Sequence, residues 1–174
     1  MSAASQPDQL LQQIYSTEAP KLYGYLVKKT SAELAQDIMQ EAFTRLYTKL
    51  QKAAPIHNTR AYLFQIARHL LYHETRMSGR IAGGDAVLEN RAAPVTSSDP
   101  DRLEERELID TLKEAVSVLT PAEKEIFDLR WENGLTQVEI AEVLGKSERQ
   151  IRRDLEKVVN KLRAHFGSKG WGHG

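Results

Sequence analysis

Apolar residues recur at intervals of three and four through the first half of the chain, a spacing that predicts amphipathic α-helices. Three helices are predicted there, and we expect Pro20 to mark a point where the first could break. Thr30 and Glu33 have the spacing of a capping box that opens the second helix. Residues 53–58 read as a loop, and the third helix starts near Thr59 and fades by residues 77–79. The three apolar stripes are Leu10, Leu11, Ile14, Tyr15, Leu22, Tyr23, Leu26 and Val27; Leu34, Ile38, Phe43, Leu46 and Leu50; and Leu63, Ile66, Ala67 and Leu70.

The second half repeats the helical spacing and adds turn signals. A helix resumes after Pro100, and three Ser or Thr residues are each followed three positions later by Glu or Gln, as in capping boxes. Those pairs are Thr120 with Glu123, Thr136 with Glu139, and Ser147 with Gln150. They predict a helix running to about Trp131, a short helix ended by Gly145, and a last helix lasting to about His165. No alternating strand pattern of useful length occurs, so the predicted fold class is all-α.

The segment between the two halves differs in composition. Residues 79–100 are rich in Gly, Pro, Ser and acidic side chains and have almost no periodicity, which predicts a flexible linker. We therefore expect an N-terminal helical domain over residues 1–78, the linker over 79–100, a C-terminal helix-turn-helix domain over 101–166, and a disordered tail over 167–174.

The last two helices have the spacing of a DNA-binding helix-turn-helix. Gly145 would supply the tight turn, because glycine adopts the backbone conformations that such a crossing needs. On a helical wheel the side of the last helix opposite its apolar stripe collects cationic and amide side chains, which are Arg149, Gln150, Arg152, Arg153 and Lys157. Arg pairs with guanine, Gln pairs with adenine and the remaining cations hold phosphates, so this face is predicted to enter a major groove. The alternative is an amphipathic hairpin whose charged face is only solvated.

Composition limits the function further. The 174 residues include no Cys, which excludes a disulfide scaffold and any thiol-ligated metal site and fits a reducing compartment. The unbroken apolar runs are too short to cross a bilayer, and the N-terminus lacks the basic cluster and apolar core of a signal peptide. We therefore expect a cytoplasmic protein without direct membrane insertion.

The formal net charge of zero conceals charge blocks. Residues 1–80 carry a net +4, residues 81–143 a net −9 and residues 144–174 a net +5. Basic segments attract phosphates, so this asymmetry suggests nucleic-acid contact at both ends. The acidic middle could screen the two basic ends from each other's ligand, or it could fold back on them. An unevenly charged solvated surface is the plainer alternative.

Two segments resemble a known family. The pattern Asp37-x-x-Gln40-Glu41-x-Phe43, followed by Ala-Tyr-Leu-Phe-Gln-Ile-Ala-Arg at 61–68, resembles the extracytoplasmic-function sigma factors of bacterial RNA polymerase. The segments 119–123 and 134–145, with the helix after them, resemble the promoter-binding helix-turn-helix of the same family. The resemblance covers residues 9–77 and 103–165 in the family's order. The amino-acid sequence around Tyr62 is most similar to that of the subgroup tied to iron–siderophore uptake.

The resemblance implies an alternative sigma factor that binds core RNA polymerase and directs it to specific promoters. The N-terminal domain would grip the clamp helices of the largest polymerase subunit and open the −10 element, and the C-terminal domain would read the −35 element as duplex. The polymerase flap and an anti-sigma factor, which is membrane-bound in the iron–siderophore subgroup, are the further partners implied.

Site residues are carried over position by position. Four fall on the polymerase-contact helix: Asp37, Gln40, Glu41 and Arg45. Eight match the segment that contacts the −10 single strand: His57, Asn58, Arg60, Arg68, His69, Tyr72, His73 and Arg76. Packing in the core is favoured for Phe43 and Tyr62. The family commonly has Asn and Asp where this chain has His69 and His73, so the −10 sequence is expected to differ and strand contact to be weaker or pH-sensitive.

Three other classes of function compete with this interpretation. His69 and His73 lie four residues apart, a spacing that can bind zinc; no third ligand is obvious, although Glu74 is adjacent and His57 is not far away. An enzyme is disfavoured because the chain has no phosphate-binding Gly loop and no nucleophile motif. A helix-turn-helix repressor or activator with an N-terminal effector domain is the remaining alternative. We expect no catalytic residues, no metal and no cofactor.

Overall fold

The computed structural model describes residues 5–78 and 100–168. These residues form seven α-helices and one π-helical turn, in agreement with the predicted all-α class. The helices are α1 (Gln6–Val27), α2 (Ala32–Gln51), α3 (Thr59–Met77), α4 (Pro100–Ser117), α5 (Pro121–Phe127), α6 (Gln137–Leu144) and α7 (Glu148–Ser168), and the π-helical turn Asp128–Glu132 continues α5. Most of the predicted linker (79–100) and tail (167–174) lies outside the described residues, although Pro100 already begins α4 and Ser168 ends α7.

The N-terminal domain is an α1–α2–α3 bundle, and two local predictions are corrected there. Ser31, not Thr30, caps α2, since its side chain accepts a hydrogen bond from the backbone N–H of Leu34 at 3.2 Å. Pro20 does not break α1, because Ala19 and Leu22 on either side of it are buried in the core and hold both halves to one packing surface. The loop before α3 is confirmed.

The C-terminal domain confirms the predicted caps and turn. The capping boxes that open α6 and α7 are both reciprocal, with Thr136 paired to Glu139 and Ser147 paired to Gln150. Gly145 follows α6 with φ +64°, a left-handed conformation that favours glycine. The helix predicted to run to about Trp131 is α-helical only to Phe127, and α7 extends past His165 to Ser168.

The two domains share one apolar core. Helix α6 packs on α3, and the π-helical turn packs on α1. Leu129, Leu135 and Ile140 of the C-terminal domain are fully buried in the same cluster as Leu22 and Phe64 of the N-terminal domain. We call this arrangement the closed packing. It places the N-terminal half of α3 against the C-terminal domain.

Candidate nucleic-acid interface

The outer face of α7 is open and cationic. Ile151 and Val158 are buried and fix the helix against the domain. The predicted groove-facing residues are all exposed: Arg149, Gln150, Arg152, Arg153 and Lys157. Within the described ranges no carboxylate forms an ion pair with any of the four cations. Their positive charge is therefore available to phosphates and base edges.

The surface of α2 is predominantly acidic and polar. Four polar side chains on this helix are exposed: Asp37, Gln40, Glu41 and Arg45. Phe43 of the same helix is buried, as predicted. Arg45 donates from Nε to Glu41 at 2.7 Å across one helical turn, so these two side chains hold each other's orientation. This face lies on the opposite domain from the cationic face of α7.

The N-terminal end of α3 is anchored to the C-terminal domain through one carboxylate. Arg60 donates to Glu139 at 2.5 Å and to the carbonyl of Gly134 at 3.2 Å. Asn58 caps α3 with its side-chain oxygen, which accepts from the backbone of Ala61, and donates from Nδ2 to Glu139 at 3.1 Å. Glu139 also completes the cap of α6, so a single side chain fixes one helix and joins two domains.

A second anchor lies two turns along α3. Arg68 donates from Nε to Glu125 at 2.9 Å, and the hydroxyl of Tyr25 donates to the same carboxylate oxygen at 2.7 Å. The guanidinium of Arg68 also stacks on the ring of Tyr72, with 4.6 Å to its centroid. Two helices of the N-terminal domain therefore converge on one acidic residue of α5.

A third anchor involves the π-helical turn and the end of α1. Asp128 lies 3.4 Å from the ammonium of Lys29 and 3.8 Å from that of Lys28, and Lys28 also pairs with Glu132. At the loop, His57 Nδ1 lies 3.3 Å from Glu142. Each of these anchors joins a residue of the basic N-terminal block to a carboxylate of the acidic middle block.

The electrostatics of the first anchor are asymmetric. Burial raises the pKa of Glu139, but hydrogen bonds from Arg60, the Thr136 backbone and Asn58 outweigh that effect and hold the pKa below its ordinary value. Burial raises the pKa of Glu18, which lies 4.0 Å from Arg60 and has one carboxylate oxygen without a hydrogen-bond partner in the described part of the chain. Arg60 therefore interacts with two carboxylates, and its ion pair with Glu139 is shorter than its ion pair with Glu18.

The C-terminal half of α3 is more open. Tyr72 and His73 are exposed, as is Arg76, and His69 is exposed one turn earlier. Tyr62, by contrast, packs on the core beneath a cation–π contact from Lys49 at 4.2 Å, as the sequence favoured. Across residues 5–78 and 100–168, no group of three His, Asp or Glu side chains is arranged to hold a metal ion. The predicted strand-contact set thus divides into an open half and a half engaged by the C-terminal domain.

Comparison with known proteins identifies both domains. Residues 14–81 match the family Sigma-70 region 2, and residues 115–164 match Sigma-70, region 4. The chain belongs to the sigma-70 family. The region 2 match contains α2 and α3, and the region 4 match contains α5 to most of α7. A helix-turn-helix repressor is not favoured, since region 2 would have no place in it.

Relatives and solved structures agree with this assignment. The ferric citrate uptake sigma factor FecI of Escherichia coli (strain K12) is 27% identical over 150 residues, which are 84% of this chain and 84% of FecI. The sigma factor RpoE of Bartonella quintana, solved with the anti-sigma factor NepR, has a TM-score of 0.61 and 21% identity and covers 91% of this chain and 98% of its own. CnrH, solved with the cytosolic domain of CnrY, has a TM-score of 0.56 and 19% identity, and the match covers 92% of this chain and 89% of CnrH. At these identities the two structures show a shared fold.

Region 4 also exposes an apolar groove. Leu112 of α4 and Trp131 of the π-helical turn are 41% and 46% exposed, although both are large apolar side chains. The groove is lined by Leu112, Phe127, Trp131, Val159, Leu162 and Arg163. On α7, Leu162 lies close to the buried stripe of the helix, whereas Arg163 lies on the same flank as Arg152. None of the helices in the described residues is long and apolar enough to span a membrane.

The sequence did not reveal Tyr25, Glu125 and Glu139 as functional residues. Each is an ordinary member of a helix, and its importance comes from a partner far away in the chain. The one relevant feature of the sequence is the division into charge blocks. The acidic middle block could either screen the two basic ends from each other's ligand or fold back on them. The pairs made by Glu125, Asp128 and Glu139 favour the second interpretation for residues 111–143.

Proposed function

We propose that this protein is an alternative sigma factor of the extracytoplasmic-function type, which binds core RNA polymerase and directs it to specific promoters. The observation that carries the proposal is the presence on one chain of region 2 and region 4, with an exposed cationic face on α7. The protein performs no chemistry itself, because the polymerase supplies catalysis. The similarity to FecI supports a role in iron-responsive transcription.

Promoter recognition is divided between the two domains. Arg149, Arg153 and Lys157 with their neighbours would read the −35 element in the major groove, because an exposed helix of this charge and width fits there. Residues of α3 and the preceding loop would hold the unpaired −10 strand, which requires cations together with stacking groups such as Tyr72. The substitutions at His69 and His73 would give this protein its own −10 preference.

Polymerase binding would use two surfaces. The α2 face of Asp37, Gln40, Glu41 and Arg45 would contact the clamp helices of the largest subunit. The apolar groove between α4, α5 and α7 would take the polymerase flap, since exposed apolar surface of this kind is typical of a binding site. An anti-sigma factor is the expected regulator, as the similar sigma factor RpoE of Bartonella quintana was co-crystallised with the anti-sigma factor NepR.

Transcription from a library of random promoters tests the proposal. The purified protein is mixed with core polymerase, and the start sites of the transcripts are sequenced. We expect start sites that share −35 and −10 elements and that depend on added protein. Failure of the folded protein to bind core polymerase at low salt would contradict the proposal, and DNA binding that persisted in that case would favour the repressor alternative.

A further inference from the structure

The first turn of α7 uses one of the predicted base-reading side chains to cap the helix. The backbone N–H of Ser147 donates to Oε1 of Gln150 at 3.0 Å, and the Ser147 hydroxyl donates to the same oxygen at 3.3 Å. In return, the backbone N–H of Gln150 donates to the Ser147 hydroxyl at 3.2 Å. Because an amide oxygen has two lone pairs, Ser147 occupies the whole accepting capacity of this side chain.

The cap also determines which end of the Gln150 amide is free. A backbone N–H can only donate, so the end that faces Ser147 has to be the oxygen, and the NH2 group is directed away from the cap. Gln150 is exposed, and across residues 5–78 and 100–168 its Nε2 has no hydrogen-bond partner. The free end of the side chain therefore offers two donors and no acceptor.

Further contacts hold the start of α7 in place. Gln137, the first residue of α6, donates from Nε2 to the carbonyl of Glu148 at 3.1 Å. Lys146 in the turn donates to Asp154 at 3.2 Å. Because Gln150 is already fixed by its own cap on this support, contact through its NH2 group loses less conformational entropy than contact through a free side chain.

The free end of the amide decides which base edge Gln150 can pair with. A Gln side chain reads adenine, as expected from the sequence alone, by donating to N7 and accepting from the N6 amino group. In this structure the accepting atom is taken by Ser147, so adenine could be read in full only if those hydrogen bonds were given up. Guanine presents two neighbouring acceptors, N7 and O6, and needs no acceptor from the protein.

We propose that Ser147 sets the base preference of Gln150: the cap holds the amide oxygen, so that Gln150 only donates and selects guanine rather than adenine in the −35 element. The inference rests on the part of the proposed function that places α7 in the major groove. Gln150 contacts the base, and Ser147 is a positioning residue that acts through it. The capping box thus has a second role beyond starting the helix.

The test measures base preference with the full chain. The probe is a fluorescein-labelled duplex that the wild-type chain selects from a random pool, and each base pair is then replaced by the other three. The base pair read by Gln150 is the one at which Gln150→Ala abolishes the discrimination. There we expect wild type to bind guanine about tenfold more tightly than adenine, equivalent to ~1.4 kcal/mol.

Base analogues at the same position test the individual atoms. Purine, which lacks the 6-amino group, should bind wild type as tightly as adenine does, because no protein group accepts from that amino group. A loss of about fivefold or more would show that the amide oxygen reads adenine and would overturn the proposal. Replacing guanine by 7-deazaguanine or by hypoxanthine separates N7 from the 2-amino group. Only the first should weaken binding, and that loss should disappear in Gln150→Ala.

Two substitutions at Ser147 test the positioning role. Ser147→Ala removes the hydroxyl and frees one lone pair of the Gln150 oxygen, so the guanine-over-adenine ratio should fall at least about threefold. Ser147→Thr is the matched control, since it keeps both the hydroxyl and the backbone N–H, and its ratio should equal that of wild type. A ratio is used because a weakened helix start alone would lower the affinity for both bases together. Equal ratios in all three proteins would contradict the role given to Ser147.

Gln150→Glu provides a measurement that does not depend on disturbing the cap. A Glu side chain still accepts from Ser147, but its outward atom is an acceptor instead of a donor. We expect the preferred base to change from guanine to cytosine, whose N4 amino group donates. Retention of the guanine preference by this variant would overturn the inference, as would a wild-type preference for adenine.

The sigma-factor proposal is judged separately by binding of the same preparations to core polymerase. A chain that binds core polymerase but shows no base preference that depends on Gln150 would overturn this inference alone. A chain that shows the guanine preference but fails to bind core polymerase would remove the sigma-factor proposal and leave the assignment of Gln150 intact.

Discussion

The hydroxyl of Tyr25 on α1 donates to Glu125 on α5 at 2.7 Å, although the two residues are 100 positions apart in the chain. The ring of Tyr25 is 1% exposed and meets Phe64 edge-on at 5.7 Å, so the hydroxyl is held in place by the core of region 2. Burial raises the pKa of Tyr25 well above its ordinary value, and the group therefore stays a donor over the physiological range. Region 4 is thus fastened to a rigid point of region 2.

We expect Tyr25→Phe to lower the free energy of unfolding by about 1–3 kcal/mol, because a hydrogen bond to a charged acceptor is lost while the ring still fills the core. Urea denaturation followed by circular dichroism measures the change. Tyr23→Phe, a substitution on the same helix outside this contact, is the control. A change below about 0.5 kcal/mol for Tyr25→Phe would contradict the assigned role of the hydroxyl.

The closed packing should depend on pH through Glu139. Its pKa is lower in the folded chain than in the unfolded chain, so its stabilisation is complete above the unfolded value of about 4.3 and is lost as the pH falls through the folded value. Glu18 has the opposite sign, since its raised pKa favours its protonated form in the folded state. The groups facing this pair are Arg60, Asn58 and Lys21.

We therefore expect the radius of gyration to be constant at neutral pH and to rise below about pH 4 in the wild-type chain. In E139Q the contribution of this residue should be absent, so compactness should be lower at neutral pH and should change less on acidification. Scattering profiles of both proteins across the acid range provide the comparison. Superimposable profiles of the two proteins at all pH values would exclude Glu139 as the responsible group.

Substitutions on α7 should separate promoter contact from polymerase contact. Arg149→Ala and Arg153→Ala are each expected to weaken −35 duplex binding by about 1–3 kcal/mol, because each removes a proposed base-edge or phosphate contact. Arg163→Ala, ten residues beyond Arg153 and about 15 Å further along the same helix, should leave duplex binding close to wild type. Fluorescence anisotropy with the selected −35 duplex measures all three. Unchanged affinity in both Arg149→Ala and Arg153→Ala would show that another face meets the DNA.

Charge reversal on α2 should have the reciprocal effect. Glu41→Arg places like charge against Arg45 and changes the charge of the surface that we propose contacts the clamp helices. We therefore expect core polymerase affinity to fall about tenfold or more, equivalent to ~1.4 kcal/mol. Glu41→Arg combined with Arg45→Glu restores the internal ion pair and controls for folding. If the double variant binds polymerase as wild type does, the single variant acted through local structure and the assigned contact is wrong.

The local features of this fold could be predicted because their causes are local. The box between Thr136 and Glu139 and the left-handed Gly145 depend on residues a few positions apart, and the structure confirms both. Ser31 rather than Thr30 caps α2. Both residues have a hydroxyl group that can cap a helix, so the sequence alone does not choose between these neighbours, and the packing of the helix does. Pro20 stays inside α1 because tertiary contacts on both sides outweigh the lost hydrogen bond.

The engagement of α3 could not be predicted, since it depends on partners far apart in the chain. Arg60 and Glu139 are separated by 79 positions, and Arg68 and Glu125 by 57. The apolar periodicity places each of these residues on a helix, and the charge blocks predict that the basic N-terminal block attracts the acidic middle block. Neither observation says which Arg pairs with which Glu. That selection comes from the way α6 packs on α3, which fixes which side chains come within hydrogen-bond reach.

The π-helical turn limits which changes of chain length this protein can accept. Asn133 closes the turn by donating both its backbone N–H and its side-chain amide to the carbonyl of Asp128, five residues back. Deleting one residue there would leave a sequence that winds as an ordinary α-helix, so the helix-turn-helix could still form. The deletion would, however, rotate everything after it by roughly 100° relative to α5, which carries Glu125. Glu125 and Glu139 could then no longer face α3 together, and a shortened chain could keep its DNA-reading module while losing its means of closing.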